Sequence, residues 1–240
     1  IMPLPKIATP TYELELPSTG KTIQYRPFLV KEEKLLVLAM ESEDTKQITS
    51  AIKAVLKNCI KTRGIKVENL PTFDIEYIFL NIRGKSVGED IDVNIICPDD
   101  KETQVEITVA LDDIEVKKSE EHTNRIKLDD NLMMEMRYPS LEQFIKSNFD
   151  LNDANQMDQS FDLIASCIDK VYTAEEAWSV SDCTKKEVTE FLDSMNSTQF
   201  KEIENFFTTM PKLSHTIKVK NPKTEVESEV VLEGLASFFA

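Results

Sequence analysis

The sequence predicts an α+β fold: two helical blocks packed together, with antiparallel β-hairpins at the N-terminus, in the middle and at the C-terminus. Three observations carry this. Apolar residues recur at helical spacing through residues 28–86 and 138–212. They alternate with period two at Ile91, Val93 and Ile95, and again at Val105, Ile107 and Val109, as half-buried strands do. The helical and β blocks are segregated and do not form a βαβ series, which argues against a doubly wound parallel sheet. The expected organisation is a single domain over 1–240: a β-hairpin (1–27), a helical block (28–86), a β-rich segment (87–137), a second helical block (138–212), and a hairpin with a tail (213–240).

The elements follow in order. Residues 11–16 and 22–25 are β-favouring runs, the turn Pro17-Ser18-Thr19-Gly20-Lys21 joins them, and Pro27 ends the pair. Residues 29–41 are rich in Leu, Lys and Glu, which favour a helix. A second helix starts at Asp44 with Gln47 in capping-box position. Its apolar residues Ile48, Ala51, Ile52, Val55, Leu56, Cys59 and Ile60 form one stripe, with Gly64 as the expected C-cap. A third runs from Thr72 to about Arg83, turns Ile75, Ile78, Phe79 and Ile82 inward, and ends at Gly84. The alternating runs at 91–95 and 105–109 flank a Pro98-Asp99-Asp100 turn, and Asp129-Asp130-Asn131 joins 126–128 to 132–136. Helices return at Ser140, capped by Gln143. A helix over 155–171 carries Phe161, Ile164, Ala165 and Ile168 on one face. Thr184 and Glu187 box a helix that buries Val188, Phe191, Leu192 and Met195. Ser197 opens the last one, with Phe200, Ile203, Phe206 and Phe207, and Pro211 stops it. Residues 216–219 and 226–232 form the closing hairpin. Its Pro-led turn matches those at Pro17 and Pro98, a weak internal similarity too short for a solenoid.

Composition narrows the function. The 240 residues hold 28 Lys and Arg against 43 Asp and Glu, a net charge of −15, with 41% apolar and 30% charged residues. That suits a foldable chain without membrane spans. A carboxylate-rich surface repels phosphate, so no nucleic-acid partner and no membrane partner is expected. The charge is uneven: Lys57, Lys61, Arg63 and Lys66 cluster, while acids crowd 99–121 and 150–193, as suits a part that meets neighbours in fixed orientation. The five glycines (20, 64, 84, 88, 234) lack P-loop or dinucleotide-loop spacing. Cys59, Cys97, Cys167 and Cys183 form no C-x-x-C pair and are read as free thiols of a reducing cytoplasm. No secretory leader is expected at residues 1–10, which hold three prolines and no apolar core.

No catalytic residue, cofactor or metal ligand is assigned. His122 and His215 stand alone, whereas a metal site needs three or four converging ligands. The pairs Asp99/Asp100, Asp112/Asp113 and Asp129/Asp130 are read as turn residues. A small acidic hydrolase using one of them is the alternative of a different class, and an acidic adaptor that mimics nucleic acid is a third. Trp178 is read as a packing anchor. The terminal Phe238-Phe239 pair is read two ways, as a contact for a partner or as a segment folded back to keep aromatics out of water.

Four segments carry a resemblance. They are Tyr25-Arg26-Pro27-Phe28-Leu29-Val30-Lys31-Glu32-Glu33-Lys34-Leu35-Leu36, the run from Asp74 through Arg83-Gly84-Lys85-Ser86-Val87-Gly88, the run from Phe200 through Phe206-Phe207-Thr208-Thr209-Met210-Pro211-Lys212-Leu213, and Leu232-Glu233-Gly234-Leu235-Ala236-Ser237-Phe238-Phe239. Together they resemble the baseplate hub subunit family of T4-type contractile-tailed bacteriophages. The resemblance implies a non-enzymatic part that builds the central baseplate hub by protein–protein contact. It implies other hub and tape-measure proteins as partners, with self-association open, and residence in the host cytoplasm during assembly, with the virion tail baseplate open as a further location. The alternative within it is an assembly chaperone absent from the mature virion. Some relatives carry extra cysteines in the hairpin turns, like a small zinc ribbon. This chain has only Cys97 there, with Asn221 and Lys223 in the C-terminal turn, so a metal is not carried over. Arg26, beside Pro27, and Arg83, beside Gly84, are expected to be buried and paired in a structural role, since a guanidinium at an element's end ties down carbonyls or a carboxylate.

Overall fold

A computed structural model describes residues 7–42, 44–143 and 156–234. Helices and small antiparallel sheets make up the chain, the α+β class the sequence predicts. It gathers into two compact units, Ile1–Val116 with Lys212–Ala240, and Lys117–Pro211.

The first unit opens with β1 (Tyr12–Glu15) and β2 (Thr22–Tyr25), paired antiparallel with Leu14 opposite Ile23. Three helices follow, α1 (Val30–Glu41), α2 (Thr45–Cys59) and α3 (Thr72–Val87). Asp44 caps α2 by accepting from the Lys46 amide at 2.9 Å. The stripe of α2 is buried from Ile48 through Ala51, Ile52, Val55 and Leu56 to Cys59. Each large aliphatic side chain so buried stabilises the fold by about 1.5–3 kcal/mol relative to exposure. The helix stops earlier than a Gly64 cap requires. Ile60 turns extended and bridges Tyr25, with the Arg26 amide donating to Cys59 O at 2.9 Å and the Lys61 amide to Gln24 O at 2.7 Å. Strand pairing therefore takes the chain away from α2 before Gly64, whose φ of +83° serves a later turn.

α3 runs past its expected end. Phe73, Ile75, Ile78, Leu80 and Ile82 are all buried, so this helix is apolar around most of its circumference. Gly84 lies inside it, because Leu111 Cδ1 occupies the place a Cβ would take. Gly88, at φ +149°, receives the end of the helix instead. β3 (Asp90–Ile96) and β4 (Gln104–Ala110) then pair antiparallel, with Ile91, Val93 and Ile95 inward. The short β5 (Glu115–Lys117) was not foreseen. It flanks β10 (Lys212–Lys220), which pairs with β11 (Glu227–Glu233) in the order β11-β10-β5.

The three hairpins of this unit share one turn. In each, the residue four after the first donates its amide back to the first carbonyl: Gly20 to Leu16 at 2.8 Å, Lys101 to Cys97 and Glu225 to Asn221 at 2.9 Å. That donor has φ of +68°, +58° and +63° respectively, and a proline follows the first residue each time. The left-handed geometry suits Gly20 and is costly for the two side-chain-bearing residues.

The second unit is a four-stranded antiparallel sheet, β6 (Arg125–Lys127), β7 (Met133–Met136), β8 (Ile168–Tyr172) and β9 (Ala177–Ser179) in that order, with helices α4 (Gln156–Cys167), α5 (Lys185–Asp193) and α6 (Ser197–Thr209). Its core joins Ile126, Met134, Met136, Ile164, Ile168, Val188, Leu192, Ile203 and Phe206. Thr184 and Glu187 form the expected capping box. A second box, Asn196 with Gln199, starts α6 and uses both Thr198 and Gln199 amides at 2.9 Å.

The helix expected over 155–171 is the main departure. It ends at Cys167, and residues 168–172 are strand β8; its expected start at Asn155 lies outside the described residues. Ile168 and Val171 are three apart, which reads as helical, yet both face inward from a strand. The register shift beside Met136 skips Asp169, so Ile168 meets Met136 while Val171 meets Met134. A bulge thus mimics helical spacing.

Candidate interaction surface

Arg26 and Glu32 are held together by the junction of β2 and α1. Pro27 forces the chain out of β2, and α1 begins three residues later, which turns Glu32 back toward Arg26. Arg26 Nη2 donates to Glu32 Oε1 at 2.8 Å and Nη1 to Pro27 O at 2.8 Å, with side-chain exposures of 8% and 1% for the pair. Glu32 Oε2 accepts from the Leu29 amide at 2.9 Å, as the third helical residue of a capping box does. Burial alone would raise Glu32; the Arg26 guanidinium and the Leu29 amide outweigh it and hold the carboxyl below its usual range. Arg83 lies half-buried on α3, where burial lowers its pKa. Phe238 and Phe239 lie outside the described residues.

Two of the carboxylate pairs, Asp99/Asp100 and Asp129/Asp130, serve turns. Asp100 accepts from the Glu102 and Thr103 amides at 3.0 and 2.9 Å, and Asp129 from Asn131 and Leu132 at 2.7 and 2.8 Å. Asp99 reaches across to the C-terminal hairpin and accepts from Asn221 Nδ2 at 3.0 Å on both oxygens and from the Thr224 hydroxyl. The two Pro-led turns at Pro98 and Pro222 are therefore joined by hydrogen bonds between side chains. Asp74 was missed by sequence reasoning. It is fully buried in the first turn of α3 and accepts the Ser18 amide at 3.0 Å and the Ser18 hydroxyl, pinning the first hairpin turn to the helix. Burial raises its pKa, and the Ser18 hydrogen bonds offset part of the rise. No sequence signal marked it, since an acidic residue in a first helical turn is ordinary.

The histidines and cysteines are similarly engaged. His122 Nδ1 lies 2.9 Å from Thr209 Oγ1 and Nε2 lies 3.0 Å from Tyr138 OH, beside Phe206. The Thr209 hydroxyl donates to Asn205 O at 2.7 Å, so it accepts from Nδ1–H, and Nε2 accepts from Tyr138. His215 Nδ1–H donates to Asp113 O at 2.9 Å. Cys59, Cys97 and Cys167 are buried, Cys183 is exposed, and none is in a disulfide. Among the described residues no group of three or more His, Cys, Asp or Glu could hold a metal ion, and no helix is long and apolar enough to cross a membrane.

Large apolar side chains are exposed singly at Ile7, Val87, Ile96, Val226 and Val231, and as a group on α1. Glu32 and Ala39 are buried and Leu36 half-buried on one side of this helix. The opposite side exposes Val30 at 64%, Val37 at 51% and Leu38 at 65%, with the exposed Lys34 and Glu41 among them. A surface helix normally sets polar residues there, and apolar side chains grouped on one exposed face are the usual mark of a contact site. Trp178, expected as a packing anchor, stands 46% exposed on β9 opposite Val171.

The fold and its surfaces thus define an α+β protein whose polar clusters tie its own turns together and which, among the described residues, groups exposed apolar side chains on α1. The chain belongs to the family described as T4 bacteriophage base plate protein, which matches residues 9–240. No curated protein and no solved structure matches it. As a baseplate protein it has a structural or assembly role in the phage tail baseplate, among other phage proteins.

Proposed function

We propose that this baseplate protein is a non-enzymatic subunit of the central hub, which it helps to build by protein–protein contact with other hub and tape-measure proteins in the host cytoplasm. The observation that carries the reading is the family match along 9–240. The resemblance of four segments, from 25–36 to 232–239, to the hub subunit family supports the hub within the baseplate. The engagement of Asp99, Asp100 and Asp129 in turn amides and in Asn221 favours this reading over a hydrolase built on those pairs, whose acid and base must be free to meet substrate.

The test is co-expression of the tagged full chain with each hub, tape-measure and wedge protein of its phage, followed by affinity capture. Capture of a hub or tape-measure protein supports the reading. Capture of wedge proteins alone moves the chain out of the hub, and capture of none removes the reading. Mass spectrometry of purified particles beside assembly intermediates then separates a resident subunit from a chaperone.

A further inference from the structure

The outward face of α1 carries a pattern of its own. At 100° per residue, Val30, Lys34, Val37, Leu38 and Glu41 lie on one side of the helix, spaced by three and four. All five are exposed. Among the described residues neither Lys34 nor Glu41 forms an ion pair. A cation and an anion thus flank an apolar pair, one on each side along the helix.

We infer that this face is where two copies of the chain pair, as antiparallel α1 helices about a two-fold axis passing between Val37 and Leu38. In a two-fold contact, residue and partner exchange roles, so the patch must complement itself. With the axis there, Lys34 and Glu41 lie equally far from it, about 5 Å along the helix at 1.5 Å per residue. Lys34 therefore faces Glu41 of the partner subunit, and Glu41 faces Lys34 of the partner subunit. Val37 and Leu38 face each other between the two ion pairs. Lys34, Val37, Leu38 and Glu41 each meet a chemical complement, and Val30 lies past the end of the facing helix.

Other arrangements of the same helices fail this condition. A parallel pair in register sets Lys34 against Lys34 and Glu41 against Glu41, which repel. Shifting the antiparallel register by one turn sets Lys34 opposite Val37 and Glu41 opposite Val30, which strands both charges on apolar side chains. Charge therefore selects both direction and register, as it does in helix pairing generally. One helix face is smaller than the roughly 800 Å² per partner of a standard stable interface, so the affinity is of roughly micromolar order or weaker. This inference does not rest on the hub assignment. It concerns the chain with itself, and its failure leaves capture of hub proteins untouched.

Sedimentation equilibrium of the full chain over a wide concentration range tests it. The weight-average mass should rise from 27.4 kDa toward twice that value. Lys34→Glu alone and Glu41→Lys alone should each weaken association at least about tenfold, and Lys34→Glu/Glu41→Lys should restore it. Both positions are exposed, so circular dichroism should report unchanged folding. A second readout fixes the register. In a Cys183→Ser background with an added disulfide-forming oxidant, Leu38→Cys should yield a covalent dimer, because the axis holds the two copies' Cα atoms roughly 6 Å apart. Val30→Cys should not, its copies lying roughly 22 Å apart along the helix. A wild-type mass that stays at 27.4 kDa, a double reversal no better than the single ones, or equal cross-linking at 30 and 38 would overturn the inference.

Discussion

Arg26→Met is the most informative single substitution. It removes the guanidinium that sits 2.8 Å from Glu32 Oε1 and leaves a carboxylate exposed by only 1%. What remains to Glu32 is the Leu29 amide at 2.9 Å and the Lys31 ammonium at 3.5 Å, on a side chain that is 68% exposed and weakened by solvent. Breaking a buried pair by deleting one partner costs about 3–5 kcal/mol, because the survivor is an uncompensated charge. Arg26→Met/Glu32→Gln removes that charge while the glutamine carbonyl still accepts from Leu29. The double variant should therefore recover to within about 1–2 kcal/mol of wild type. The sign of the pH effect also follows. Glu32 titrates lower in the folded chain than its unfolded value of about 4.3, so the pair's stabilisation is complete above that pH and is lost as pH falls through the folded value. In Arg26→Met the relation reverses, and acid relieves the defect by protonating Glu32. Urea unfolding followed by far-UV circular dichroism at pH 7 and pH 4.5, with amide exchange of residues 25–40 to locate the loss, measures all of this. An Arg26→Met chain within about 1 kcal/mol of wild type at pH 7, or a double variant worse than the single, would refute the reasoning.

Other perturbations follow from the same geometry. Gly84→Ala should cost no more than about 1 kcal/mol, because the atom it displaces is the end of the half-exposed Leu111 side chain, and should stabilise by up to about 1 kcal/mol in a Leu111→Ala background, where helix propensity alone decides; a thermal or urea double-mutant cycle reads the difference. Burial, then the Lys118 charge, holds His122 below its usual 6.5, so stability should be flat above that pH and fall as pH drops from 6.5 toward the lower folded value. The slope should be no steeper than about 1.4 kcal/mol per pH unit, and His122→Gln should flatten it in unfolding curves taken between about pH 8 and 5.5. At the shared turn, Gly20→Ala should cost about 1 kcal/mol, whereas Lys101→Gly and Glu225→Gly should be neutral or stabilising by up to about 1 kcal/mol, because all three positions hold left-handed backbone. Uniform destabilisation by all three substitutions would remove the common-turn account.

Much of this fold is legible in the sequence because local signals and packing agree. The α2 stripe, the Thr184–Glu187 box and the alternation at 91–95 each state their element twice, once through periodicity and once through a cap or turn. The failures share a physical cause: a distant partner overrides a local signal. Ile60 leaves α2 because Tyr25 offers a strand to bridge. Gly84 is a packing glycine inside α3, since Leu111 takes the place of its Cβ, and Ile168–Tyr172 is a strand because β7 and β9 lie on either side of it. The α1 surface was invisible for a related reason. Leu, Val and Lys mixed along 30–41 announce a helix without showing which apolar residues are covered. Only the burial of Glu32 and Ala39 reveals that Val30, Val37 and Leu38 face solvent. The turn residues were legible, but their reach was not: nothing in the spacing of Asp99 and Asn221, 122 residues apart, places them in contact.

Cross-linking mass spectrometry of tails trapped during assembly bears on the central claim most directly. Cross-links from this chain to hub and tape-measure proteins are expected. Cross-links confined to wedge proteins, or none to any baseplate component, would contradict it.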